Sequence, residues 1–363
     1  MTPIGIAIVG CGNISDIYLQ NLSRFQSVRI LACADLDVVR AIATAAKYGV
    51  AYGATVEDVL RDPAVALIVN LTTPDAHAAV ALAALSAGKH VYNEKPLALD
   101  LLEAQQMLEL AAAKGLRIGC APDTFMGGGL QTCRQLIDDG AIGTPVAATA
   151  FMTCAGHESW HPNPSFYYQP GAGPLFDMGP YYLTALVNLL GPIERVSGMA
   201  RASFAERTIT SQPLSGQMIQ VNTPTHISAL LEFVSGAQAT IITSFDVQAA
   251  HLPHLEIHGS LGSLSLPDPN TFGGPVELFT TAEPSWQEVP IAHGYTDNSR
   301  GIGVLDMATA LQTGTAHRAN GALAQHVLEV MHGILESADA GQRVTIRSRP
   351  TRPAAIPSET RFI

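Results

Sequence analysis

The sequence predicts an α/β doubly wound parallel sheet in residues 1–123, followed in residues 124–363 by an α+β domain with a large open, mostly antiparallel sheet. In the first region, short runs of Val, Ile, Leu and Ala alternate with helical patterns, as is typical of parallel strands covered on both faces. In the second, apolar residues alternate with a period of two in "HISALLEF" (residues 226–233), which indicates antiparallel strands with one buried face. A chain of 363 residues is also longer than one core usually organises, so two domains are expected.

The elements of the first region follow from this alternation. Strands are predicted at Ile4–Val9, Val28–Ala34, Ala66–Leu71, His90–Asn93 and Arg117–Ala121. Helices are predicted where a polar cap opens a periodic segment and a glycine follows it. One begins at Thr55, and the others span Asp75–Ala87 and Asp100–Lys114.

The second region is predicted to contain longer strands, several helices and a polar, Pro-containing tail from Arg347 to Ile363. The strands are Val146–Cys154, Val196–Ser203, Ile227–Phe233, Ala237–Val247, Leu255–His258 and Val276–Phe279. The helices are Leu130–Asp139, Gly303–Thr313 and Gly321–Ala338. This large sheet predicts a homodimer or homotetramer, because an exposed apolar sheet face must be covered.

Composition excludes several classes of partner. The formal net charge is -11 without a basic cluster, so neither nucleic acid nor an anionic membrane is expected to bind. There is no apolar run of about 18 residues and no signal-peptide pattern, which predicts a cytoplasmic protein without a membrane span. The five cysteines are scattered and lack a Cys-x-x-Cys spacing, which predicts reduced thiols and no bound metal.

The first motif is a glycine-rich turn in "IAIVGCGNIS" (residues 6–15). Gly10 and Gly12 follow a strand and precede a helical pattern, so a tight turn and a close backbone approach to a pyrophosphate are expected at this helix N-terminus. Ser15 occupies the third position of Gly-x-Gly-x-x-Gly; either the helix packs more loosely on the strand or the hydroxyl has a local partner. The alternative is a strand–helix turn that needed two glycines.

Asp35 ends the second strand, 20 residues after Ser15. A carboxylate at this point can accept hydrogen bonds from the ribose hydroxyls of adenosine and would repel a 2′-phosphate. Leu36 and Asp37, rather than an arginine, follow it, which favours NAD over NADP. The alternative is a turn aspartate that caps the next helix.

Small polar residues also follow the strand Ala66–Leu71. Thr72, Thr73 and Pro74 come at its carboxyl end, where such residues typically line a dinucleotide cleft. His77 lies one turn into the next helix, where it either faces the cofactor or caps the helix in contact with solvent.

Glu94, Lys95 and Pro96 end the strand His90–Asn93 in "HVYNEKPLALD" (residues 90–100). The acid and the base are either a surface ion pair at a strand end or part of a site that moves a proton. The three residues by themselves do not decide between these interpretations.

The motifs together resemble one enzyme family. Gly10-x-Gly12-Asn13-Ile14, Thr73-Pro74-x-x-His77 and Glu94-Lys95-Pro96 occur in the order and spacing of the glucose–fructose oxidoreductase / inositol dehydrogenase / rhizopine-catabolism (Gfo/Idh/MocA) family. "GAGPLFDMGPYYLTAL" (residues 171–186) is similar to that family's glycine-rich entry into a helix carrying Asp and, four residues later, His. The resemblance implies an N-terminal Rossmann domain whose NAD-binding residues are Gly10, Gly12, Asn13, Ile14, Asp35, Thr72, Thr73, Pro74, His77, Glu94 and Lys95.

The resemblance also implies a catalytic role for Lys95. It matches the lysine that in this family lies near the nicotinamide and the substrate hydroxyl, where it suits proton transfer. Glu94 would orient it or the nicotinamide end, and Pro96 would fix the backbone direction. A surface ion pair therefore becomes the less favoured interpretation.

Asp177 and Tyr181 are the other predicted catalytic residues. If the helix begins near Asp177, Pro180 lies in its first turn and Asp177 and Tyr181 share one face. Tyr181 stands where relatives usually carry His, and a phenol with a pKa of about 10 is expected to donate a hydrogen bond or to assist Lys95 in proton transfer. The alternative is an interior tyrosine with a satisfied hydroxyl.

An irregular loop precedes that helix, "GHESWHPNPSFYYQPGAGP" (residues 156–174). Its aromatic and hydrogen-bonding side chains suit a sugar ring, and the family places substrate contacts here. The predicted substrate-binding residues are His157, Trp160, His161, Asn163, Asp177 and Tyr181. Two prolines argue against a helix that would pair the two histidines on a metal, so no metal is predicted.

Three functions are consistent with the sequence. The leading one is an NAD-dependent dehydrogenase acting on a secondary hydroxyl of a sugar, glycoside or cyclitol, with Lys95 as proton acceptor. The second is an oxidoreductive glycosidase with tightly bound NAD, in which transient oxidation permits elimination of the aglycone; it needs a further base such as His157, His161 or Tyr181. The third is a binding or regulatory protein that retains the fold.

Overall fold

The computed structural model describes residues 2–358, which divide into two compact units. The first contains the chain up to Gly127, the segment Gly294–Leu328 and residues 356–358, and the second contains Gly128–His293 and Glu329–Ala355. The boundary predicted between residues 123 and 124 stays a prediction. The structure adds the return of Gly294–Leu328 to the first unit, which no local pattern indicates. The end of the predicted tail, residues 359–363, lies outside the described residues.

The elements are numbered along the described chain. The helices are α1 (Asn13–Leu22), α2 (Val38–Tyr48), α3 (Val56–Arg61), α4 (His77–Ser86), α5 (Leu101–Lys114), α6 (Gly128–Asp138), α7 (Gly173–Leu190), α8 (Ile302–Thr313) and α9 (Gly321–Ala340). The strands are β1 (Ile4–Val9), β2 (Val28–Ala34), β3 (Tyr52–Ala54), β4 (Leu67–Asn70), β5 (His90–Asn93), β6 (Ile118–Cys120), β7 (Pro145–Thr153), β8 (Ile193–Arg201), β9 (Glu206–Thr208), β10 (Met218–Gln220), β11 (His226–Phe233), β12 (Gln238–Ser244), β13 (Leu255–Gly259), β14 (Gly262–Leu266), β15 (Glu277–Thr280), β16 (Gln287–Glu288) and β17 (Val344–Thr345).

The first unit contains a six-stranded parallel sheet in the order β3-β2-β1-β4-β5-β6. This is the order of a Rossmann domain, in which ligands bind beyond the carboxyl ends of the strands where the order reverses, here between β1 and β4. The five predicted strands are confirmed, with β4 and β6 one residue shorter at each end. β3 has three residues, too few to produce a recognisable pattern.

Polar caps begin two of the three helices predicted in the first unit. Thr55 and Asp58 form a reciprocal capping box at α3, and Asp100 accepts hydrogen bonds from the first backbone amides of α5. α5 ends at Gly115, whose φ of 65° is left-handed. The third helix, α4, begins at His77 instead of Asp75, because residues 74–76 form a 3-10 turn, and it has no side-chain cap.

The second unit contains a nine-stranded sheet in the order β16-β15-β14-β13-β7-β12-β11-β8-β17. β7 and β12 run parallel and the other neighbours antiparallel, which confirms the predicted sheet class. In β11, alternate residues from Ile227 to Phe233 are buried, as predicted, and α7 lies against β7, β11 and β12. The opposite side of the sheet exposes Leu230 and Met199.

Among residues 2–358, none of the helices combines the length and apolar character that crossing a membrane requires.

Candidate functional site

The glycine-rich turn joins β1 to α1 in the first unit. Gly10 has a φ of 97°, and a Cβ there would lie 2.6 Å from the backbone carbon of Leu71, so a side chain fits neither the conformation nor the space. At Gly12 a Cβ would meet no atom within 4 Å, so the backbone borders open space. The Ser15 hydroxyl donates to the Gly12 carbonyl at 2.7 Å. Ser15 therefore has the local partner that the sequence left open.

Asp35 connects this turn to the end of β2. Its Oδ2 accepts a hydrogen bond from the Cys11 amide at 2.8 Å, and its Oδ1 accepts one from the Asp37 amide at 2.9 Å. The Arg40 guanidinium lies 3.8 Å from Asp35 Oδ1. Arg40 is in the first turn of α2, which begins at Val38, and this turn brings its side chain near Asp35. An arginine thus reaches Asp35 although none follows it directly in sequence. Asp37, not Asp35, caps α2.

A cavity of about 360 Å³ lies at the carboxyl ends of β1, β2 and β4. We call it the nucleotide cleft, and the predicted cofactor residues that line it are Gly10, Gly12, Asn13, Ile14, Asp35, Thr72 and Thr73. Open space beside Gly12 at the start of α1 suits a pyrophosphate, and the Asp35 carboxylate suits ribose hydroxyls. These residues fit the predicted NAD. Pro74, His77, Glu94 and Lys95 are not among the lining residues of this cavity.

His77 is fully buried beneath the cleft. Its Nδ1 lies 2.6 Å from the Pro96 carbonyl and its Nε2 lies 3.0 Å from the Thr72 carbonyl. Burial lowers the pKa of His77, against the opposing effect of the two carbonyls. The solvent-exposed cap was therefore a wrong alternative: the 3-10 turn before α4 directs the imidazole inward, where it links two loops.

Glu94 is buried at the end of β5 and is therefore not a surface residue. Its Oε1 accepts a hydrogen bond from the Tyr18 hydroxyl at 2.8 Å, and its Oε2 accepts one from the Lys95 backbone amide at 2.9 Å. Lys95 itself is half-buried, and its peptide bond to Pro96 is cis. The carboxylate therefore fixes the backbone from which the lysine side chain projects.

Sequence reasoning missed Asp123, which follows β6 and is 1% exposed. Its Oδ2 accepts hydrogen bonds from the backbone amides of Gly301 at 2.8 Å and Gly303 at 3.0 Å. Burial raises the pKa of Asp123 to about 6. The residue anchors the returning segment to the first unit, and its position three residues after the buried strand β6 was the available signal.

In the second unit, Asp177 lies within α7 and not at its start. The helix begins at Gly173, with Pro174 in its first turn, so the predicted start near Asp177 was wrong. Pro180 consequently lies in the helix interior, where it can donate no backbone hydrogen bond. The four-residue spacing of Asp177 and Tyr181 still places them on one face. In α7, Asp177 and Met178 are the positions that are not buried.

His157 packs against aromatic rings and faces Asp177. Its ring centroid lies 4.0 Å from that of Tyr167, 4.5 Å from Phe245 and 5.2 Å from Trp160. Its Nε2 lies 3.5 Å from Asp177 Oδ2. We call these five residues the carboxylate–aromatic cluster.

The other predicted substrate residues lie at or near the rim of this cluster. Trp160 is 60% exposed, Asn163 is exposed and His161 is half-buried. The His161 ring lies 5.4 Å from the rings of Trp160, Phe166 and Tyr167. Tyr181 is 8% exposed. Among residues 2–358, no group of three or more His, Cys, Asp or Glu side chains is placed to hold a metal ion.

A buried ion-pair network holds the loop that carries His157. Arg207 donates to Glu158 Oε1 at 2.6 Å, to the Phe245 carbonyl at 3.0 Å and to Asp246. The Tyr168 hydroxyl donates to Glu158 Oε2 at 2.7 Å. Sequence reasoning missed this network because its members are far apart along the chain and form no motif.

Comparisons with known proteins agree with this architecture. The model described as "Oxidoreductase family, NAD-binding Rossmann fold" matches residues 4–121, and that of the "GFO/IDH/MocA C-terminal domain" matches residues 130–265. The 1,5-anhydro-D-fructose reductase of Ensifer adhaerens is 28% identical over 242 residues, which cover 63% of this chain and 67% of that protein. Inositol 2-dehydrogenase 3 of Saccharopolyspora erythraea is 27% identical over 279 residues, 75% of each chain.

A solved structure of levoglucosan dehydrogenase in complex with NADH and L-sorbose superposes with a TM-score of 0.82 at 19% identity, over 95% of this chain and 99% of that one. At this identity the likeness shows the fold. Because the two family models together match well over half of the sequence, and the nucleotide cleft has the residues that NAD requires, this chain belongs to the Gfo/Idh/MocA family of oxidoreductases with an NAD-binding Rossmann domain.

Proposed function

We propose that the protein is an NAD-dependent oxidoreductase acting on a secondary hydroxyl of a sugar, glycoside or cyclitol. The observation that carries the proposal is the carboxylate–aromatic cluster, in which an accessible Asp177 carboxylate lies beside packed aromatic rings. Such sites suit the hydroxyls and C–H faces of a sugar ring. Relatives named for anhydrofructose and inositol, and a structural neighbour solved with L-sorbose, support this substrate class.

Each proposed catalytic residue has a distinct role. When bound, NAD would supply the acceptor for a hydride from the carbon that carries the hydroxyl. Lys95 takes the proton of that hydroxyl, and Glu94 keeps the Lys95 backbone in place. Asp177 accepts a hydrogen bond from a substrate hydroxyl, and Tyr181 donates one.

The proposed cofactor contacts come from the nucleotide cleft and the loops beneath it. Gly12, Asn13 and Ile14 bind the pyrophosphate at the start of α1, and Asp35 binds the adenosine ribose. His77 acts indirectly, because its buried ring holds the Thr72 and Pro96 loops in place. The remaining contacts are assigned to Gly10, Thr72, Thr73, Pro74, Glu94 and Lys95.

A panel assay tests the function. Purified protein with NAD is incubated with free aldoses, ketoses, cyclitols and nitrophenyl glycosides, while absorbance at 340 nm and nitrophenol release are recorded. Net NADH formation from a free sugar or cyclitol is expected. Absence of turnover on the whole panel in both directions, with NAD bound, would contradict the proposal and favour a binding protein.

An oxidoreductive glycosidase with tightly held NAD is the second candidate. Trp160 and Phe166 are exposed, and each ring lies 5.4 Å from that of His161, so the three could contact an aglycone together. Burial lowers the pKa of His161, which keeps the ring neutral and able to accept a proton. Nitrophenol release without net NADH would identify this activity.

Association and location complete the proposal. The sheet side that exposes Leu230 and Met199 favours a homodimer or homotetramer, which sedimentation velocity on the native protein and on Leu230→Glu would test. The five cysteines carry free thiols and four are buried, which suits the reducing cytoplasm.

A further inference from the structure

His157 lies behind the Asp177 carboxylate within the carboxylate–aromatic cluster. The distance from its Nε2 to Asp177 Oδ2 is 3.5 Å. The Asp177 side chain is 21% exposed and the His157 side chain 10%. Both ring nitrogens of His157 are closed to solvent. A substrate can therefore touch the carboxylate, whereas the imidazole acts through it.

Packing fixes the position of this imidazole. Tyr167, Phe245 and Trp160 surround the ring with centroid distances of 4.0, 4.5 and 5.2 Å. Within residues 2–358, neither ring nitrogen has a hydrogen-bond partner. An unpaired buried nitrogen is unfavourable, and the carboxylate 3.5 Å away is the group that a small closure would bring into hydrogen-bond range.

Charged and titratable groups face the ring from several elements. Glu158 and His161 lie on its own loop, Asp246 follows β12, Arg207 projects from β9, and Asp177 faces it from α7. Tyr167, which packs against the ring, and Cys154 and Tyr168 are uncharged titratable groups nearby. The Arg207 guanidinium is engaged by two carboxylates, Glu158 and Asp246. The carboxylate that approaches a His157 ring nitrogen is that of Asp177, with Oδ2 3.5 Å from Nε2.

We propose that His157 is a positioning residue for Asp177: it holds Oδ2 so that Oδ1 is presented to a substrate hydroxyl. The inference rests on the proposed function. It also bears on the tyrosine at position 181, where relatives usually carry histidine. Here the loop before α7, and not the helix itself, supplies the imidazole.

The test compares His157→Gln and His157→Phe with the native enzyme, using the sugar found most active in the panel. Both variants should lose about 10- to 100-fold of kcat/KM, mainly through kcat, because the carboxylate is then less well placed for the reaction. NAD affinity, followed by fluorescence, should stay unchanged. The phenylalanine variant keeps the aromatic packing, so a melting temperature near native separates lost positioning from lost folding.

Two controls show whether the effect is specific to His157. His258 lies on β13 with its Nδ1 2.9 Å from the Ser263 hydroxyl, and His258→Gln should keep the native kcat/KM. In Asp177→Asn, adding His157→Gln should cause no further loss, because the two residues act as one unit.

Specific results would overturn the inference. They are a native kcat/KM in both His157 variants, an equal loss in His258→Gln, or fully additive losses in the double variant. A native enzyme inactive on the whole panel would overturn the proposed function and this inference together. Lys95-dependent turnover with unaltered His157 variants would overturn the inference alone.

Discussion

The nucleotide cleft and the carboxylate–aromatic cluster are built in different ways. In the cleft, side chains contact backbone groups at strand ends: Asp35 accepts from two amides, and His77 lies between two carbonyls. Around the cluster, side chains contact side chains from distant segments, as Arg207 does with Glu158 and Asp246. Contacts to backbone survive most substitutions, whereas a side-chain network fails when one member is removed. The second unit should therefore be the more sensitive to single changes away from its proposed catalytic residues.

The largest expected effect is on chemistry, at the end of β5. Lys95→Ala should lower kcat by about 10³-fold, because a positioned acid–base group contributes that much to proton transfer. NAD affinity should change little, since the cleft residues remain. Steady-state kinetics with fluorescence titration of NAD measure both. Lys114→Ala, an exposed position at the end of α5, is the control; near-normal kcat in Lys95→Ala would contradict the role.

A change in the buried network tests its sensitivity directly. Arg207→Leu should destabilise the protein by about 3 kcal/mol, because it leaves the Glu158 and Asp246 carboxylates buried without their cation. Thermal unfolding would report the change as a lowered midpoint, and loop loosening should raise KM. Arg201→Leu, an exposed position at the end of β8, should leave both near native. Equal thermal stability of the two variants would contradict the expected sensitivity of the buried network.

Asp123 gives a pH dependence to the first unit. Its folded pKa of about 6 lies above the unfolded value of about 3.8, so the proton favours the folded state. Its stabilising contribution is complete below pH 3.8 and is lost as pH rises through 6. Asp123→Asn can still accept from Gly301 and Gly303, so relative to this variant the native protein should lose about 2–3 kcal/mol between pH 4 and 7. Paired melting curves across that range measure it; a pH-independent difference would contradict it.

The smallest expected effect concerns cofactor choice. Asp35→Ala should weaken NAD binding about 10-fold, because it removes the acceptor of the ribose hydroxyls. Binding of NADP should improve relative to NAD, since Arg40 lies 3.8 Å from the lost carboxylate and would then face the 2′-phosphate. The affinities of Asp35→Ala for NAD and NADP are measured by titration, and the same titrations on Asp35→Ala combined with Arg40→Ala test whether Arg40 contacts the 2′-phosphate. An unchanged ratio of NADP affinity to NAD affinity would contradict a role of Asp35 in cofactor selectivity.

The cleft was predictable because each of its parts follows the end of a strand that the sequence pattern predicts. Gly10, Gly12 and Asp35 come directly after buried strands, and parallel strands bring their carboxyl ends to one edge of a sheet. What remained open there was side-chain direction. Whether the Ser15 hydroxyl had a partner, and whether His77 faced solvent, depended on a turn of a few residues that periodicity does not specify.

The cluster was predictable in composition and not in arrangement. The loop that precedes α7 carries the residue types that a sugar site would need, but no spacing rule places His157 against Asp177, 20 positions away. The start of α7 at Gly173 was also not predicted. Pro180 was assigned to the first turn of the helix, whereas Pro174 is the proline in that turn. Arg207, Glu158 and Asp246 gave no signal, since each is an ordinary charged residue in its own segment.

The sequence by itself determined the two kinds of sheet, the glycine-rich turn, and the acid and base that follow β5. These depend on periodicity, on φ angles that glycine permits and on strand ends, all of which are local. The tertiary structure alone decided which buried groups meet: His77 with two carbonyls, Asp123 with Gly301 and Gly303, and His157 with Asp177. The reason is that burial removes water as a partner, so each polar group must be satisfied by whichever segment the fold brings to it.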